Sequence, residues 1–127
     1  MRLATLARSH LAHLAGAFLV MGSWAFVANR GHGVESAMAA ALLQGAMSAL
    51  VTLSLKTFIE KLALRMSGGA ALAVPPVAAF AAVGLVLILL HRLNGTPEVV
   101  ATIALPLTAA TGYAAGYSYT LWRCRKG

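Results

Sequence analysis

The sequence predicts an all-α integral membrane protein. Its four transmembrane helices form two tandem helical hairpins, a parallel internal repeat with the N-terminus and C-terminus inside. Three observations lead there. Hydrophobic residues fill 60% of the 127 positions and charged residues only 10%, whereas soluble domains are about a quarter charged. Mean hydropathy is +0.80, so too few polar side chains exist to cover a water-facing surface. Finally, four apolar stretches come close to the roughly 20 residues that cross a hydrocarbon core of ~30 Å.

The first stretch runs over residues 11–28 and the second over 36–55; the third covers 70–90 and the fourth 99–122. Hairpin one is therefore residues 11–66, hairpin two is 70–123, and the single four-helix domain spans 1–127. Arg2, Arg8 and the "SWA" at 23–25 also have the pattern of a cleavable signal peptide; the segment is read here as a retained span. Past residue 55 the helical period continues through "LKTFIEKLALRM", with Lys56 and Glu60 spaced to meet along one face. "SGG" at 67–69 breaks that helix. Pro75 and Pro76 are expected to mark the start of regular helix in the third span rather than a hinge.

Orientation follows from the basic residues. Arg2, Arg8, Lys56, Lys61, Arg65, Arg123, Arg125 and Lys126 fall on one side, with Arg30 and Arg92 on the other. The positive-inside rule makes the first side cytoplasmic, in a bacterial inner membrane with both termini inside. The formal charge of +7 is thus a topology signal. No basic stripe interleaved with aromatics is present, and nucleic acid is not an expected partner.

Two outer turns resemble each other. "NRGHG-VESAM" and "HRLNGTPEVVA" align with one inserted residue, placing Arg30 on Arg92, Gly33 on Gly95 and Glu35 on Glu98. In each, an acid opens the next helix, where unpaired N–H groups favour a carboxylate. "TPE" fits Thr96 as N-cap and Pro97 as first helical residue. Beside this capping account stands a functional one, in which Arg30, His32, His91 and Arg92 gather at one mouth to bind an anionic headgroup, with Glu35 and Glu98 tuning the field. Arginine suits phosphate through its bidentate fork.

Within the spans, Gln44 lies eight residues past Ser36, ~12 Å deep at the helical rise. A buried amide needs a partner or a wet cavity. Pro106 sits at nearly the same depth and frees a carbonyl near Thr102. The pair reads either as a mid-membrane substrate site or as interhelical glue. Gly112 and Gly116 have GxxxG spacing, and Gly45 with Ala49 gives span two a similar small stripe; each is an intrachain helix contact or a dimer face. Tyr119 and Trp122 fit an aromatic belt. Cys124 cannot form an intramolecular disulfide; it is a bystander or an acylation site. His10 and His13 share a helix face, but no carboxylate nearby in sequence completes a metal site. No catalytic constellation, metal site or cofactor is expected.

The layout resembles the GtrA-like family of small four-span proteins. The stretches that carry the likeness are "LKTFIE" (55–60) at the end of span two, "TLWRCRKG" (120–127) at the end of span four, and the outer turn "HRLNGTPEVVATI" (91–103). The resemblance implies movement of a polyprenyl-phosphate-linked sugar across the membrane, or recruitment of other glycan enzymes. Three functions are therefore carried forward. The first is a transporter or flippase component handling a lipid-linked sugar or another anionic lipid. The second is a non-transporting accessory subunit of a larger membrane complex, and the third a small ion or solute transporter. Four short helices enclose little volume, so a homodimer or larger membrane assembly in contact with membrane lipids is expected.

Overall fold

The computed structural model describes residues 2–126. It is all-helical: α1 Arg2–Asn29, a 3-10 turn Arg30–His32, α2 Val34–Leu64, α3 Gly68–Asn94 and α4 Val99–Lys126. All four α-helices are long and apolar enough to cross a membrane. Leucines and phenylalanines such as Leu42, Leu53, Phe80 and Leu85 point outward from them, which suits a surface solvated by lipid.

Three glycines at positive φ set the turns. Gly33 has φ 99°, Gly68 φ 60° and Gly95 φ 76°, a region that side chains with a Cβ rarely enter. Gly95 closes α3: its N–H reaches the Arg92 carbonyl at 3.1 Å, and the Thr96 N–H reaches that of His91 at 2.9 Å. That crossed pair answers the carbonyls a helix end leaves open.

The helices pack as a rhombus. α2 and α4 touch along the short diagonal, each also packs against α1 and α3, and α1 and α3 do not meet among the described residues. Lipid tails are as apolar as leucine, so helix association in a membrane depends on close packing and hydrogen bonds. Between α1 and α2 the packing is tight. A Cβ on Gly22 would stand 3.0 Å from the Ala41 carbonyl oxygen, and one on Gly45 would stand 3.0 Å from the Phe18 ring. Leu55, Ile59, Ala79, Ala110 and Ala114 form a second core among α2, α3 and α4. α1 contributes nothing to it.

Several expectations are corrected. α1 starts at Arg2, so the helix runs beyond the apolar stretch at 11–28 and carries Arg2 and Arg8 in its first turns. α3 starts at Gly68, which puts Pro75 and Pro76 inside the helix; the ring fits helical φ, but each proline lacks an N–H donor and crowds the carbonyl one turn earlier. α4 starts at Val99 rather than at Pro97. The carbonyl of Glu98 accepts the Thr102 N–H at 2.9 Å, so Glu98 occupies the capping place and Thr96 does not. Glu35, by contrast, lies in the first turn of α2 as read from the sequence.

Candidate functional site

Call the side with the two outer turns the loop end, and the other the termini end. At the loop end α1 and α3 each finish in a buried polar residue just before an arginine. Asn29 and His91 are both 0% exposed, as are Gln44 and Thr102. A buried polar group without a partner costs several kcal/mol in hydrocarbon, so each must be answered.

Asn29 is answered by α4. Its Nδ2 donates to Thr102 Oγ1 at 2.7 Å and to the Ala25 carbonyl at 2.8 Å. Its Oδ1 accepts the backbone N–H of Glu98 at 3.0 Å. Nearby, Trp24 Nε1 donates to the Ala101 carbonyl at 2.8 Å. These bonds tie the end of α1 across to the start of α4.

His91 is answered by α2. Gln44 Nε2 donates to Ser48 Oγ at 2.9 Å, which turns Gln44 Oε1 toward His91 Nε2, also at 2.9 Å. An amide oxygen only accepts, so Nε2 carries the proton and Nδ1 is left to accept. The Thr96 hydroxyl donates to Nδ1 at 2.8 Å, and Asn94 Nδ2 donates in turn to Thr96 Oγ1 at 3.1 Å. This explains the misplaced cap: Thr96 turns inward because His91 needs a donor.

The two ties are reciprocal. Each hairpin's first helix ends in a side chain held by the other hairpin's second helix. The residues behind them match as well. Gly22, Ala25 and Asn29 are buried, and so are Gly84, Leu87 and His91, 62 positions further on in each case. The same interval relates buried Ala40, Gln44 and Ser48 to buried Thr102, Pro106 and Ala110. The register of the buried faces therefore carries no gap: the two outer turns are equal in length, and Glu35 falls opposite Pro97 rather than Glu98.

Below this polar layer lies a cavity of about 520 Å³. Gln44, Ser48 and Pro106 line it at depth, and Ser9, His10, His13 and Lys56 line it toward the termini end. Gln44 is buried, while Ser9, His10 and Lys56 are exposed. Twelve residues of α2 separate Gln44 from Lys56, or ~18 Å at the helical rise, more than half of a ~30 Å hydrocarbon core. No Asp or Glu lines the cavity. Its walls offer a lysine ammonium, two imidazoles and several hydroxyls. Among the described residues no group of three or more His, Cys, Asp or Glu is placed to hold a metal ion.

The sequence-derived residues thus divide. Gln44 and Pro106 both line the cavity, and Gln44 also bonds across to His91 on α3, so each of the two readings has an observation behind it. His91 is not at an outer mouth: it is buried against Gln44 and Thr96. His32 Nε2 lies within hydrogen-bond distance of the Glu98 carboxylate, at 3.0 Å, and both side chains are about half exposed. Arg30, Glu35 and Arg92 are exposed and make no ion pair among the described residues. His91 is thus withdrawn from the other five, which are all exposed. Gly45 is an intrachain contact with Phe18, and Ala49 is half-buried. Gly112 and Gly116 are exposed, and a Cβ at either would have nothing within 4 Å, so among the described residues they pack against no other helix.

The termini end is held more loosely. Tyr117 donates its hydroxyl to the Glu60 carboxylate, and Lys56 stands 3.8 Å from the same group. Arg125 Nη1 donates to the Ala63 carbonyl at 2.7 Å, capping the end of α2. Lys126 lies 4.3 Å over the Trp122 ring. Cys124 is exposed. Sequence reading missed Asn29, Thr96, Thr102, His10 and His13 as parts of a site. The buried stripes ending in Asn29 and His91, spaced i, i+3, i+7, were the signal for the first.

No protein-family model matches this chain, and no curated protein or solved structure matches it either.

Proposed function

We propose that this chain is a small membrane transporter, or the membrane component of a flippase, that handles an anionic lipid headgroup such as that of a polyprenyl-phosphate-linked sugar. One observation carries the reading. The cavity reaches ~18 Å from one side, is lined by His10, His13 and Lys56 with no acid in its walls, Glu60 standing 3.8 Å from Lys56 outside them, and stops under a polar layer closed by Asn29 and His91. A path open to one side and sealed at the other is one state of an alternating-access cycle. Parallel repeats about an axis along the membrane normal occur in transporters, and the matched buried faces of the two hairpins support such a repeat here. The basic bias toward the termini end supports cytoplasmic termini, with the cavity facing the cytoplasm of a bacterial inner membrane. The resemblance to GtrA-like proteins points to the same substrate class. A solute or ion exchanger fits less well, because a coupled cation calls for a membrane-embedded carboxylate and the cavity has none.

The second reading is an accessory subunit. The exposed Gly112 and Gly116 face favours it, since small residues let another helix approach closely. That face suits a second copy or a larger complex equally well.

The test is lipid translocation in reconstituted vesicles. Fluorescently labelled phosphatidylglycerol should become fully accessible to an external quencher when the wild-type chain is present. Lys56→Ala with His13→Ala should slow this, while labelled phosphatidylcholine should respond less. Vesicles in which labelled phosphatidylglycerol behaves as in protein-free controls, together with co-purification of a stoichiometric membrane partner, would overturn transport in favour of the accessory role.

A further inference from the structure

A headgroup tethered to a hydrocarbon chain cannot enter a walled chamber unless the wall opens sideways into the membrane. The polar cavity has such a neighbour. An apolar groove of about 240 Å³ lies between α2 and α3, lined by Met47, Leu50, Phe58, Ala82 and Val86 among others. Cavity and groove share four lining residues, Val51, Leu55, Val83 and Leu87. These side chains stand between the basic chamber and the groove on the outer side of α2 and α3. Thr52 and Lys56, on the cavity side, adjoin Val51 and Leu55 in the chain, so the basic group and the partition lie at one depth.

We propose that the ligand is a single anionic lipid held across this partition, with its phosphate beside Lys56 and His13 and its hydrocarbon chain leaving between α2 and α3 over Val51 and Val83. The proposal rests on the lipid-handling reading above and names the route. In lipid the groove supplies no hydrophobic gain, because the chain leaves one apolar medium for another. Its contribution is geometric: the chain stays in an apolar channel while the phosphate sits among donors. Charge complementarity selects the head, and continuity between groove and chamber selects a molecule with both parts. A free anion uses only the chamber, and a neutral lipid uses only the groove.

The experiment uses the full chain in vesicles containing phosphatidylglycerol that carries a photoactivatable diazirine in its acyl chain. After illumination, peptide mapping should find label within residues 47–58 and 79–87. Ser54→Trp and Ala82→Trp fill the groove at exposed positions, where a folded chain tolerates a larger side chain. Each should lower labelling and translocation by about tenfold or more, with helical content and elution volume unchanged. Inorganic phosphate should still protect His13 from diethyl pyrocarbonate in both variants, because the chamber is untouched. Label confined to α1 and α4, or translocation unchanged in both tryptophan variants, sinks the route while leaving lipid handling standing. Failure of the wild-type chain to move or label with the anionic lipid sinks both. Protection of His13 by phosphate alone, with no lipid labelled, means a soluble anion is the ligand.

Discussion

The loop end and the termini end of this molecule are built on different principles. At the loop end, Asn29 and His91 cross from one hairpin to the other and every buried polar atom they present is answered. The tight Gly22–Gly45 crossing lies in the same half. At the termini end, α1 stands off from the core that α2, α3 and α4 share, and buried Ser118 Oγ and Trp122 Nε1 have no hydrogen-bond partner. The fully buried ties between the hairpins lie at the loop end, whereas those at the termini end, Tyr117 to Glu60 and Arg125 to the Ala63 carbonyl, are only part-buried. The four helices need no different composition to achieve this, only polar residues on the inward face at one end.

The comparison breaks most severely at Gly22. Gly22→Ile drives a side chain into the Ala41 backbone, and overpacking of this kind costs about 3 kcal/mol; the thermal midpoint in detergent should fall accordingly, and an unchanged midpoint would mean that the hairpin is not tightly crossed. Next comes Gln44→Leu, which strands the His91 Nε2–H in a dry layer for about 2 kcal/mol. A Gln44→Leu, His91→Leu double variant should recover part of that loss, since neither partner is then left unpaired. Asn29→Ala removes ties to α4 and should cost about 1 kcal/mol, read by the same melt. Tyr117→Phe, at the loose end, should cost less than about 1 kcal/mol, because Glu60 keeps Lys56 and water.

The smallest effect on the fold is expected at Gly112→Leu, which meets no neighbouring atom; only the oligomeric state, read by native mass spectrometry, should change if a second copy packs there. A label sharpens the contrast directly. In a Cys124→Ser background, Ser48→Cys should react with a membrane-impermeant thiol reagent added at the termini end and resist it at the loop end. Equal reactivity from both sides would show that the polar layer is not a seal.

Much of this architecture was legible in the sequence. Hydropathy marks four helices, and glycines mark the turns because only they enter positive φ cheaply. Gln44 stood out because an amide in an apolar run demands a partner. The identity of that partner was not legible. His91 beside Arg92 reads as part of an outer headgroup-binding cluster until its place in the stripe Gly84–Leu87–His91 is noticed. Thr96 reads as a cap because a threonine before proline usually is one; the competing demand of a buried imidazole comes from another helix. The cavity escaped notice for a related reason. His10, His13 and Lys56 lie on two helices far apart in the chain, and no local pattern records that they face the same space.

The reciprocal ties also constrain how the chain is made. When hairpin one leaves the ribosome, Asn29 has its own-helix carbonyl and Gln44 has Ser48, but the groups that complete them are still being synthesised. Their remaining polar atoms sit in lipid until α3 and α4 arrive. The first hairpin is thus an unfinished object, exposed to quality-control proteases for as long as translation of the second takes. A ribosome stalled after residue 66 should leave a product that turns over much faster than the full chain, and Asn29→Ala should narrow that gap.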